Sequence, residues 1–99
     1  MLGGELSKSE VEAKLAGKGD FVQIDYLTRI LSGTLHRDTK KFARLKLTEV
    51  YERRRMFGEV AKLYEDTSLE SVTFADKIKN YSKAAEFYIK AGLFDKADY

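Results

Sequence analysis

Three phenylalanines, Phe21, Phe57 and Phe94, stand 36 and 37 residues apart, and Tyr51 and Tyr88 stand 37 apart. Each phenylalanine follows or opens a tight-turn sequence: Gly19-Asp20-Phe21, Met56-Phe57-Gly58 and Gly92-Leu93-Phe94. Recurrence at this spacing is the mark of a helical-hairpin array. One hairpin of two amphipathic helices cannot cover both of its apolar faces, so neighbouring hairpins stack and share them. That constraint leaves little room for any other architecture.

The residues between the turns agree. Phe42, Leu45, Leu47, Val50 and Tyr51 recur at helical spacing between Lys40, Lys41, Arg44, Lys46, Glu49, Glu52 and Arg53, which predicts a long amphipathic helix over about 38–55. A second is expected over about 72–91, with Phe74, Ile78, Tyr81, Ala84, Ala85, Tyr88 and Ile89 as its apolar positions. Ser7 with Glu10 reads as a capping box, Asp20 with Gln23 resembles one, and Asp38 and Thr73 suit N-caps. Gly17, Gly19, Gly33 and Gly92 suit helix ends. Nowhere do apolar and polar residues alternate strictly over a strand's length. The expected helices are about 7–17, 20–32, 38–55, 57–67 and 72–91, with a stub from 94, paired as three hairpins.

The spacing of these residues resembles the tetratricopeptide repeat (TPR) family. The last unit carries the likeness furthest: Tyr81, the small pair Ala84-Ala85, Tyr88, the turn Gly92, Phe94 and Ala97. The middle unit keeps Leu47, Tyr51, Phe57 and Tyr64, with Thr48 and Val60 where small residues are usual and Arg55 where the turn glycine belongs. The first keeps Gly19, Phe21, Ile24, Leu27 and Leu31. The period exceeds the ~34 residues of the family, and the proline that often closes each unit is absent. The resemblance implies an all-α, right-handed superhelical array of antiparallel hairpins, about two and a half TPR-like repeats forming one domain over 1–99. Tyr99 falls near the start of a second helix in the third unit. The expectation is therefore an N-terminal fragment of a longer array, or a second copy covering the apolar face that includes Tyr81, Ala85 and Tyr88.

Charge narrows the class of partner. The net charge is only +2, yet residues 38–55 hold seven basic and three acidic residues and 56–76 hold one and five. Such local fields without a global basic excess argue against a general nucleic-acid binder. With no cysteine, disulfides, thiolate metal sites and thiol nucleophiles are excluded. No leader pattern and no apolar run of ~18 residues is present, so no membrane role and a cytoplasmic location are expected. One Asn, one Gln and 34% charged residues fit a heat-adapted source.

In the TPR family the first helices of the repeats line an inner surface that holds peptides or helices of partners. On that register Lys46 corresponds to Lys83, Glu49 to Glu86 and Arg53 to Lys90, so the sequence basic, acidic, basic recurs. Such a groove favours an acidic or mixed-charge protein segment. The competing reading makes Glu49 with Arg53, and Glu86 with Lys90, ordinary surface pairs. Self-association into a homodimer would instead use Tyr81, Ala85 and Tyr88, and weak nucleic-acid contact would use Lys40, Lys41, Arg44 and Arg53-Arg54-Arg55. The three arginines equally complement a helix C-terminus. Some TPR proteins clamp a peptide carboxylate with Lys, Asn and Arg; no groove position here carries Asn. His36 lies in a polar linker without metal or acid/base partners. No glycine-rich phosphate loop follows Gly17-Lys18-Gly19, and no nucleophile with a base stands out, so neither an enzyme nor a cofactor is expected.

Overall fold

The computed structural model describes residues 6–92. They form five helices packed in sequential pairs: α1 Lys8–Leu15, α2 Asp20–Leu31, α3 Arg37–Arg53, α4 Phe57–Glu70 and α5 Phe74–Lys90. The chain is all-α, and each helix lies within a few residues of its expected span. Phe94, Ala97 and the stub from 94 lie outside the described residues. Two compact units divide the chain, Met1–Val50 and Tyr51–Tyr99, with the boundary inside α3.

In the first unit α1 begins on the expected capping box. Ser7 Oγ accepts from the Glu10 amide at 3.1 Å, and Glu10 Oε1 accepts from the Ser7 amide at 2.9 Å. The second expected box does not form, because the N-cap of α2 is Gly19 rather than Asp20. Gln23 turns back instead, and its Nε2 donates to the carbonyls of Leu15 and Lys18, both at 3.1 Å. It thereby supplies a donor to the last carbonyl of α1, which the helix cannot satisfy itself, and a second to the turn that follows. Thr39 Oγ1, almost wholly buried, donates to the Leu6 carbonyl at 2.9 Å and ties the start of the chain to α3.

The buried side of α3 differs from the expected stripe. Thr39, Ala43, Leu47 and Val50 are buried, Phe42 is half-buried and Leu45 is 55% exposed. Their spacing of four, four and three draws one line along the helix. Small Ala43 and Thr39 are interior there, and Thr39 carries the bond to Leu6. Val11, Leu15 and Leu27 complete the core of this unit.

In the second unit α4 and α5 pack antiparallel: Phe57 and Tyr64 meet Phe87, while Ser68 meets Lys77. Val60, Ala61 and Ser68 of α4 and Ala84, Phe87 and Tyr88 of α5 are buried. The polar groups in this seam are paired. Ser68 Oγ donates to the Lys77 carbonyl at 2.9 Å, and Lys77 Nζ returns to the Ser68 carbonyl at 3.5 Å. Since α4 has no basic residue in its own last turn, Lys77 brings the cation that its dipole favours there.

A finer register emerges at the helix ends. The first residue of α2 is 20 and that of α4 is 57; α3 starts at 37 and α5 at 74. Both offsets are 37 residues. Against that frame Asp20, not Phe21, corresponds to Phe57. Phe21 is accordingly 62% exposed, whereas Phe57 belongs to an aromatic cluster, so the 36-residue spacing of these two rings is a near-coincidence. The tyrosine register holds: Leu47, Val50 and Tyr51 in α3 and Ala84, Phe87 and Tyr88 in α5 are all buried.

The turns repeat as well. Arg55 has φ 59° and Gly92 has φ 80°, the left-handed conformation that closes a helix. In each, the amide donates to the carbonyl three residues back, Arg55 to Glu52 and Gly92 to Ile89, both at 3.0 Å. Met56 adds a bond to the Tyr51 carbonyl at 2.8 Å, completing a Schellman motif around a non-glycine residue.

Candidate partner-binding strips

Because α3 and α5 are both 17-residue helices, the six candidate residues occupy equivalent places in them. Lys46 and Lys83 are tenth, Glu49 and Glu86 thirteenth, Arg53 and Lys90 last. Positions three and seven residues on from a helical residue share its face, so each triplet is one strip along its helix. Lys83, Glu86 and Lys90 are exposed, as are Glu49 and Arg53, while Lys46 is half-buried.

Glu49 meets Lys46, with Nζ to Oε1 at 3.8 Å. Lys90 lies over two aromatic rings, its Nζ 4.8 Å from the Phe87 centroid and 5.6 Å from that of Phe57. Lys46 likewise sits 5.4 Å from the centroid of Phe42. In both strips a basic side chain therefore lies along a ring of the preceding turn, which holds its stem while the head keeps its charge. Arg55 adds a second cation beside Phe57, at 5.5 Å.

The cluster under Lys90 is ordered by packing. Tyr64 stacks on Phe87 with centroids 5.7 Å apart and an interplanar angle of 11°, and Phe57 leans on Phe87 at 6.0 Å and 35°. The expected apolar positions of α5 omitted Phe87, which is buried at the centre of this cluster. Its signal lay in the register, since Val50 stands 37 residues before it.

No known family, curated protein or solved structure matches the chain. Its chemistry is therefore read from its own residues.

Of the three residues expected to serve self-association, Tyr88 is wholly buried and its phenol donates to Glu65 Oε1 at 2.6 Å. It is out of a partner's reach. Tyr81 and Ala85 are accessible and line a groove of about 640 Å³ with Glu65, Asp66, Leu69, Ile78 and Ser82. Leu69 and Ile78 are 66% and 49% exposed.

The linker histidine has a local task. His36 precedes α3, and its Nδ1 accepts from the Asp38 amide at 3.2 Å, so the ring occupies the N-cap role expected of Asp38. Among the described residues no group of three or more His, Cys, Asp or Glu side chains could hold a metal ion. Among them, too, no helix is long and apolar enough to cross a membrane.

Proposed function

We propose that the chain is a TPR-like protein-interaction scaffold whose strips, Lys46-Glu49-Arg53 on α3 and Lys83-Glu86-Lys90 on α5, contact an acidic or mixed-charge segment of a partner protein. The observation that carries this reading is the recurrence of basic, acidic and basic residues at the same three places of two helices of equal length. Core positions repeat because packing demands it. Surface positions are under no such demand, so their repetition favours the same kind of ligand at each strip over ordinary surface pairs. The aromatic seats under Lys46 and Lys90 strengthen the reading, since a cation held in place loses less side-chain entropy when it meets a carboxylate.

The test is a titration of the chain with a labelled extended peptide rich in Asp and Glu, followed by fluorescence anisotropy. Reversal of both Lys46→Glu and Lys83→Glu should weaken binding at least about tenfold, and raised salt should slow association. Unchanged affinity in the double variant, with helicity retained, rejects the strips as the binding surface.

A further inference from the structure

A different side of α5 poses a separate question. Seen down its axis, the helix carries an apolar sector too wide for α4 to cover. Ala84, Phe87 and Tyr88 are buried, but the adjoining arc of Phe74, Ile78, Tyr81, Ala85 and Ile89 is left at the surface or half-buried. Leu69 of α4 stands exposed beside it, and between them runs the groove lined by Glu65, Asp66, Leu69, Ile78, Tyr81, Ser82 and Ala85. Solvated apolar side chains occur singly on most proteins, whereas a contiguous row along one groove marks an interaction site.

We propose that this groove between α4 and α5 seats an amphipathic helix of a partner protein, apolar along one stripe and basic along the flank that meets Glu65 and Asp66. The shape fits a helix: Ile78, Tyr81 and Ala85 line the groove at helical spacing, and exposed Phe74 and Ile89 continue the same face of α5 beyond it, about 22 Å from end to end at 1.5 Å per residue. An occupant of about four turns can lay anchors at every third or fourth residue against it. The charge selects the flank. The α4 wall presents two adjacent carboxylates, and residues 56–76 carry five acidic residues against one basic. A second copy docking through the same patch would bring Glu65 and Asp66 of both chains into one interface, and an anionic lipid surface would meet the same repulsion. Phenol and carboxylate are already set, because Tyr88 holds Glu65 from beneath.

The site is independent of the basic strips. Lys83, Glu86 and Lys90 point to the other side of α5 from Tyr81 and Ala85, as their positions round the helix require. The two surfaces also select opposite charges, so failure of one leaves the other standing.

The experiment uses the whole chain and two labelled helical peptides of about four turns. Both carry a leucine stripe; one has lysines along its flank and the other glutamates. The lysine peptide should bind and the glutamate peptide should bind at least about tenfold more weakly. Leu69→Lys and Asp66→Lys, at exposed positions where circular dichroism should report unchanged helicity, should each weaken the lysine peptide about tenfold. Lys14→Ala, at an exposed position of α1 outside both surfaces, should leave it unaffected. Equal binding of the two peptides, no binding, or indifference to both groove variants overturns the proposal. Sedimentation showing a self-associated chain that Leu69→Lys returns to monomer overturns it too, in favour of a second copy as occupant.

Discussion

Tyr26 carries its hydroxyl into the interior of the first unit, where it has no hydrogen-bond partner among the described residues. A buried, unpaired hydroxyl costs its desolvation, so Tyr26→Phe should stabilise the fold by about 1 kcal/mol in chemical denaturation. The same burial, reinforced by the nearby Glu10 carboxylate, holds the phenol proton above its ordinary pKa of 10.0. The folded chain then retains a proton that the unfolded chain releases. This contribution is complete below pH 10.0 and is lost as pH rises through the folded-state value. Thermal melts across alkaline pH should therefore fall less steeply for Tyr26→Phe than for the parent. Arg55 offers a second substitution. A non-glycine residue in the left-handed region costs about 1–2 kcal/mol, partly offset by the guanidinium over Phe57, about 0.5–1 kcal/mol. Arg55→Gly should raise stability by roughly 0.5–1 kcal/mol, and a lowered melting temperature would show that the ring contact dominates. Of these two strained points only Arg55 was legible in the sequence, because it stands where a turn glycine was expected. Tyr26 was not, since which way one hydroxyl faces depends on packing that no spacing records.

At the level of the elements, helix ends were easier to read than helix faces. Ser7, Thr73 and Gly92 act locally, through bonds to amides and carbonyls a few residues away, and local chemistry survives in sequence. The turned-in face of α3 was legible in part: Leu47, Val50 and Tyr51 are buried as expected, but small Ala43 and Thr39 are buried with them, where a count of large apolar residues points instead to Phe42 and Leu45. Gln23 was misread for a related reason: the carbonyls it meets belong to the end of the preceding helix and to the turn after it. The seam between α4 and α5 supplies the prediction at this scale. Tyr88→Phe removes the phenol that meets the Glu65 carboxylate, and a bond to a charged group contributes about 1.5–3 kcal/mol. Urea unfolding of the variant should show that loss with an unchanged slope. A loss near zero would mean that water replaces the phenol, and that the seam is held by ring packing alone.

For the molecule as a whole, the repeat was visible as a period before it was visible as a structure. The tyrosine spacing gave the true frame, while the phenylalanines were one residue out in the first unit, a discrepancy that only burial could resolve. The strips on α3 and α5 were legible because basic, acidic and basic residues recur 37 positions apart, at the same places of two helices of equal length. The groove was less so, since Glu65, Asp66 and Leu69 lie on a different helix from Ile78 and Tyr81 and are joined to them only by folding. The recurring helix boundaries carry one more implication. Because α3 and α5 begin at residues 37 and 74, each behind its own cap at His36 and Thr73, the segment 37–73 ends on a residue that caps the helix after it. Splicing a second copy of residues 37–73 directly after Thr73 should lengthen the protein by one full unit in phase, with helical ellipticity per residue preserved. An evolving gene could gain or shed such a stretch by unequal recombination without ever leaving a helix uncapped.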